Sequence, residues 1–358
     1  MTTVGRILAA AALFLLFLAG SAHAEDVLHL YNWNNYISDD TLQRFEAHCR
    51  CRVKQDYYSD NEEMLAKLEA GAVGYDLLVP TGNAVESLIR RNALRDLDKT
   101  LLPHLKNEKP EFTNLWFDPG NRYSVPYATT VTLIGYNADK MRELALPTDT
   151  WALIFEPKYL EKIKGRITVL NSQRELMAAA MKYLGHSVQE QDLAKWEEAK
   201  RLILRAKPYW ATFSNSTYIK DLAIGNIWVA HGYSNDMYRA REDAKAARRP
   251  FRIGFETPQE GAVLAVDSFV LHQSGARPDL AHQFIDFMLD GKNAADVSNL
   301  IGAGNPNAAA IPHIRPAIAA EAGIFPPPQT LAKLEMLRDF DPKLRRALSR
   351  MWTEIKVR

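Results

Sequence analysis

Cysteine is nearly absent: the 358 residues hold two, Cys49 and Cys51. That excludes a disulfide-built scaffold. No His or second Cys pair stands at ligand spacing, so no metal site is expected. An oxidising compartment would permit one bridge, but a Cys-x-Cys pair closes a very small, often strained ring, which weighs against it. An excess of either charge is missing too. Lys and Arg number 44 and Asp and Glu 43, for a formal net charge of +1. The basic residues are scattered rather than massed with aromatics, so no nucleic-acid partner is expected. The one dense basic stretch, Lys245 to Arg252, is broken by alanines and reads as a solvated helix end and loop. Enzyme signatures are lacking as well. There is no Gly-x-Ser-x-Gly and no His-Glu-x-x-His, and Gly302-Ala303-Gly304 lacks the rest of a dinucleotide fingerprint. Nothing fixes two carboxylates at the separation that glycoside hydrolysis needs. Neither an enzyme nor a cofactor is expected.

What is present begins with a leader. Arg6 supplies a basic start, Ile7 to Ala19 is apolar, and Ser21-Ala22-His23-Ala24 ends in small residues. This is the three-part pattern of a cleaved secretory signal, with cleavage expected after Ala24. The apolar run, about 13 residues, is shorter than the roughly 20 that span a bilayer. No Cys stands at the cleavage point to take a lipid, and no later segment is long and apolar enough to span. The mature chain is expected from Glu25, soluble in the periplasm and monomeric.

That chain is long enough for two domains. Val27 to Trp33, Arg52 to Tyr58 and Tyr75 to Pro80 have strand character, and helices are expected after Asp39-Asp40, from Asn61 as cap to Ala70, and over Asn83 to Arg91. Val125 to Asn137 is a long β-type stretch. A second set follows, with strands at Gly165–Leu170 and Ile227–Gly232 and helices at Arg174–Leu184 and Asp192–Ala206. Pro326-Pro327-Pro328 precedes a last helical part, Leu331 to Lys356. Alternation of this kind predicts an α/β fold with largely parallel sheets in two lobes and a cleft between them.

Ligands of such sheets bind beyond the carboxyl ends of the strands. The residues there are Trp33, Asn34, Asn35 and Tyr36; Thr81; Asn171, Ser172 and Glu175; Tyr233 and Asp236; and Asp267. The set is rich in aromatics and carboxylates and has no Arg or Lys. It suits an alkyl-ammonium ligand, whose charge carboxylates neutralise and whose methylenes aromatic faces hold. An anion would call for Arg, Lys or helix N-termini; a sugar fits this set also. Structural roles compete: Trp33 and Tyr36 as core aromatics, Glu175 at a helix N-terminus, Asp236 as a cap. Asp267 interrupts the apolar run Ala262 to Leu271, where an unpaired charge is costly, and is the strongest functional candidate.

Several motifs then follow in order: Leu30-Tyr31-Asn32-Trp33-Asn34-Asn35-Tyr36, Tyr75 to Pro80, Val125-Pro126-Tyr127 with Gly135-Tyr136-Asn137, Ala230-His231-Gly232-Tyr233-Ser234-Asn235-Asp236, Pro258-Gln259-Glu260-Gly261 and Gly323 to Pro327. Together they resemble the bacterial periplasmic spermidine/putrescine-binding proteins of ATP-driven importers, over nearly all of the mature chain. The resemblance implies a type II periplasmic-binding fold whose lobes, 25–134 plus 266–304 and 135–265 plus 305–358, close like a hinged trap. It implies a membrane permease of an ABC transporter as partner. By position, Trp33 and Tyr36 match ligand-packing aromatics, Thr81 a contacting Ser, and Glu175 a carboxylate for one amine. Tyr233 takes the place of a Trp, and Asp236 and Asp267 match acids for the other amine. The departures are Ala265 for a Trp or Phe, Ala303 for a Tyr, Asn35 for an acid and Thr129 for a Trp. Each lost aromatic removes roughly 0.5–2 kcal/mol of cation–π attraction. A wider, less caged and less acidic site is therefore expected: either affinity for simple diamines is poor, or the ligand is bulkier, such as a longer or substituted polyamine, agmatine or an aromatic amine. The alternatives are a same-fold receptor for an amino-acid derivative, a sugar or a chelated metal, or a sensor.

Overall fold

The computed structural model describes residues 26–34, 36–58 and 60–357. The expected signal segment with its cleavage point, and Asn35, lie outside the described residues. Strand β1 (Val27–Trp33) pairs in parallel with β2 (Arg52–Tyr58) and with β3, which contributes only Leu77–Leu78 of the expected run to the ladder. Helix α1 (Asp39–Cys49) starts at Ser38, whose side chain accepts from the Thr41 N–H. Helix α2 (Asn61–Glu69) is capped by Asp60 rather than by the expected Asn61. Asp60 accepts from the Glu63 N–H at 2.7 Å, while Asn61 Oδ1 accepts from the Thr81 N–H at 3.2 Å and so ties the start of α2 to the exit of β3. Helix α3 (Gly82–Arg90) follows directly.

A second parallel set holds β5 (Ile167–Val169), β6 (Thr212–Phe213) and β7 (Val229–Tyr233). Its helices are α4 (Gln173–Tyr183), α5 (Leu193–Ala206), α6 (Thr217–Ile224) and α7 (Ser234–Ala246). Lys245 to Pro250 are exposed at the end of α7 and beyond it, as expected. Two long strands join the sets. β4 (Ser124–Asn137) pairs antiparallel with β9 (Leu264–Leu271) from Ser124 to Val131, then switches to β7 from Thr132 onward. β9 closes on β3, and β8 (Ile253–Glu256) pairs with the end of β4. The order is β2-β1-β3-β9-β4-β7-β5-β6. The largely parallel sheet is thus corrected to a mixed one. β4 and β9 pass from one half to the other without a helical crossover, so nothing forces them to run parallel.

Aromatic packing fills the core of the first half, where Phe45 meets Phe284 edge-on at 4.8 Å across α1 and α8 (Pro278–Leu289). Trp151, Trp196 and Phe155 are buried in the second half. Helix α9 (Gly291–Ile301) brings Ala294 and Ala295 against Tyr238 of α7, behind the strand crossing. Two more expectations are corrected. Cys49 and Cys51 are bridged, with their Cα atoms 5.2 Å apart; Arg50 takes the left-handed conformation that ends α1 and turns the two thiols together. The chain from Leu331 to Lys356 is not one helix. Residues 336–340 are in neither helix nor strand, Glu335 bridges to Val263, and α10 (Pro342–Val357) begins only at a proline, which disfavours helix in the residue before it. Among the described residues no helix is long and apolar enough to cross a membrane.

Candidate functional site

The exits of β1, β3 and β7, the start of β9 and the start of α4 converge on one chamber of about 710 Å³. Trp33, Tyr36, Thr81, Glu175, Tyr233, Ala265 and Asp267 all line it. Alternation along β9 places Ala265 and Asp267 on the same face. Asp267 is 3% exposed. Its carboxylate accepts from the Thr81 hydroxyl at 2.6 Å and from the Tyr36 hydroxyl at 3.0 Å. Burial pushes its pKa up to about 6, partly offset by those two hydrogen bonds. Glu175, 7% exposed, accepts from Thr132 Oγ1 at 2.7 Å. Burial raises it to about 7 against the pull of Thr132 and the positive charge of Arg174.

Asp236 sits one layer back. Its carboxylate accepts from the Tyr218 hydroxyl and, at 3.4 Å, from Asn235 Nδ2, while Asn235 forms the wall itself. Burial raises Asp236 to about 6. The hydroxyl of Tyr233 is held well above its ordinary value, first by burial and then by Glu175, Asp236 and Asp267 among other acids. The field of all three carboxylates reaches this phenol. None of the three has an ion-pair partner within 4 Å among the described residues. Aromatic rings close one side: Trp33 lies 6.2 Å from Tyr36 and 4.5 Å from Tyr58, centroid to centroid.

Some expected positions fall elsewhere. Asn34 is exposed and off the wall, in the turn that follows β1. Ala303 is fully buried in the core of the first half, among Val125, Tyr127 and Phe269, so the room it leaves is not part of the chamber. Thr129 exchanges two backbone hydrogen bonds with Gly304, at 3.0 and 2.8 Å, and its neighbour Thr130 lines the wall instead. Among the described residues, Ala265 is the one of these smaller side chains that lines the chamber. Conversely, sequence reasoning missed Thr132, Tyr218, Leu65 and residues 336–340. Thr132 had a signal: a hydroxyl inside a buried apolar strand. Tyr218 had none, since its role rests on α6 lying against α7.

The family of bacterial extracellular solute-binding proteins matches residues 41–326 of this chain. The chain belongs to that family. A putrescine/cadaverine-binding protein of Pseudomonas aeruginosa is 55% identical over 340 residues, covering 95% of this chain and 96% of the relative. The putrescine-binding periplasmic protein PotF of Escherichia coli is 35% identical over 358 residues, covering 98% and 96%. Among solved structures, the TpPotD lipoprotein of Treponema pallidum superimposes with a TM-score of 0.82 at 27% identity, covering 93% of this chain and all of that one. A receptor for GABA aligns with a TM-score of 0.72 at 18% identity and shares the fold. These relatives are named for what they bind or carry, in keeping with a binding protein rather than an enzyme, and the two-lobed α/β fold is that of the family.

Proposed function

We propose that this solute-binding protein is exported to the periplasm and captures a small organic cation of the di- or polyamine class. It closes its two halves, 25–134 plus 266–304 and 135–265 plus 305–358, on the ligand and passes it to a membrane permease. The observation that carries this reading is the set of three desolvated carboxylates, Glu175, Asp236 and Asp267, whose field reaches Tyr233 and which receive hydrogen bonds from hydroxyl and amide groups but no ion pair. Buried carboxylates without a counter-charge are costly. An ammonium repays that cost with charge-assisted hydrogen bonds, and Trp33 and Tyr36 offer faces to the alkyl chain. The names of the relatives support the same class of ligand. A volume of about 710 Å³ lies well inside the roughly 300–1,000 Å³ of pockets for drug-sized ligands. A bare diamine leaves much of it to water, so a bulkier or substituted amine fits better.

Calorimetry on protein unfolded, freed of ligand and refolded, against putrescine, cadaverine, spermidine, spermine and agmatine, tests the reading. Stoichiometric binding of at least one is expected, weakened about 10- to 100-fold or more by Asp267→Asn. Silence towards all five would overturn it.

A further inference from the structure

The segment 335–340 is held by both halves. On the side of the second half, the Glu335 carbonyl accepts from the Leu264 N–H at 3.0 Å, its own N–H donates to Ala262 at 3.0 Å, and its carboxylate pairs with Lys182 at 2.7 Å. Farther along, Gln189 Nε2 donates to the Met336 carbonyl at 3.0 Å and Arg174 to the Arg338 carbonyl at 2.9 Å. Met336, Leu337, Asp339 and Phe340 then form part of the chamber wall. On the opposite side lies α3 of the first half. Arg90 pairs with the Asp339 carboxylate and donates to its carbonyl at 3.3 Å, and the Asp339 N–H donates to Glu86 Oε2 at 2.7 Å. The Arg338 guanidinium rests 4.1 Å from the ring centroid of Trp116. Asp339 is 7% exposed and also faces Arg345 at 3.5 Å and Arg174 at 3.9 Å.

We propose that this segment is a strap across the chamber and that Arg90 and Glu86 are positioning residues that latch it through Asp339. The inference rests on the ligand-trap reading above. Neither Arg90 nor Glu86 touches the ligand-facing carboxylates; each acts on residence time by holding Leu337 and Phe340 in the wall. Opening the halves separates α3 from the strap, so every release event breaks this contact, whereas capture by the open form precedes it. The contact therefore belongs to the dissociation rate. Its partners lie in different halves, and each half retains its own anchors when the contact is lost.

The test is stopped-flow dissociation of cadaverine from the wild-type protein and from Arg90→Gln and Glu86→Gln, with thermal melts of the ligand-free proteins. The dissociation rate is expected to rise about tenfold in Arg90→Gln, with the association rate and the ligand-free melt unchanged. Asp339→Asn is the companion variant. If it unfolds, because it also takes the carboxylate partner from Arg345, the Arg90 and Glu86 variants still decide. Failure of the wild type to bind cadaverine or any other amine overturns the ligand class. Binding by the wild type with an unchanged dissociation rate in both variants overturns the latch. Equal loss from the association and dissociation rates, or a lowered ligand-free melt, assigns the contact to general stability and overturns it too.

Discussion

At the scale of single residues, the three site acids share one condition. Burial has raised Asp236 and Asp267 to about 6 and Glu175 to about 7. Their folded values lie above the unfolded ones, so the stability they contribute is full below about pH 4 and is lost as pH rises through about 6 to 7. A bound ammonium needs the ionised forms and restores what the empty site loses. Amine affinity is therefore expected to fall at least about tenfold between pH 7.5 and 5.5, with proton release on binding at pH 6.5. Calorimetry in buffers of different ionisation enthalpy reads both. Glu108 makes a separate case far from the chamber. Burial pushes it up to about 8, and neither carboxylate oxygen has a hydrogen-bond partner among the described residues. Its contribution to stability is lost as pH rises through about 8. Glu108→Gln should therefore flatten the melting curve between pH 7 and 9 by a few degrees, as differential scanning calorimetry would show; an unchanged pH slope would exclude an ionising Glu108.

At the scale of elements, β9 decides the shape of the site. Its alternation puts Ala265 beside Asp267, so one strand supplies both the acid and the gap next to it. Filling that gap with Ala265→Trp should tighten putrescine by about 2- to 30-fold through the added ring face and should weaken any bulkier natural amine. Competition between the two in a single titration measures it; a loss for both would mean that the strand cannot take the ring. The sequence made much of this legible. Asp267 stood out as a charge in an apolar run, and strand-end reasoning named Trp33 on β1, Tyr233 on β7 and Glu175 on α4, each of which lies in the wall. Ala303 misled because its position was inferred from relatives and not from packing; in the fold it belongs to the same buried core as Tyr127 and Phe269. The strap stayed hidden because its residues carry no periodicity. Its course comes from pairing with Val263, some 70 residues earlier in the chain, and from Pro342, which stops the helix.

At the scale of the whole molecule, two passing strands and a strap connect the halves, and they do different work. β4 leaves β9 for β7 between Val131 and Thr132, so each half keeps its own ladder on either side of that point, as the hinged closure proposed above requires. The strap starts beside that crossing, where Glu335 bridges to Val263, and runs to Arg90 and Glu86 of α3. The alternation of strands and helices announced two α/β units. It did not announce the mixed sheet, because the direction of β4 and β9 is set by pairings such as Leu77 with Leu271, and no local pattern encodes a partner nearly 200 residues away.

Those distant pairings also set an order of assembly. A chain that emerges from its N-terminus can form β1, β2 and α1 early, but β3 and the first stretch of β4 wait with open edges until Leu264 to Leu271 arrive. The wall of the chamber waits longer still, for the segment around Asp339. Such non-local closure slows folding. For the export proposed above this delay is useful, since the chain stays threadable until most of its length has emerged. The pocket is the last part of the molecule to be completed.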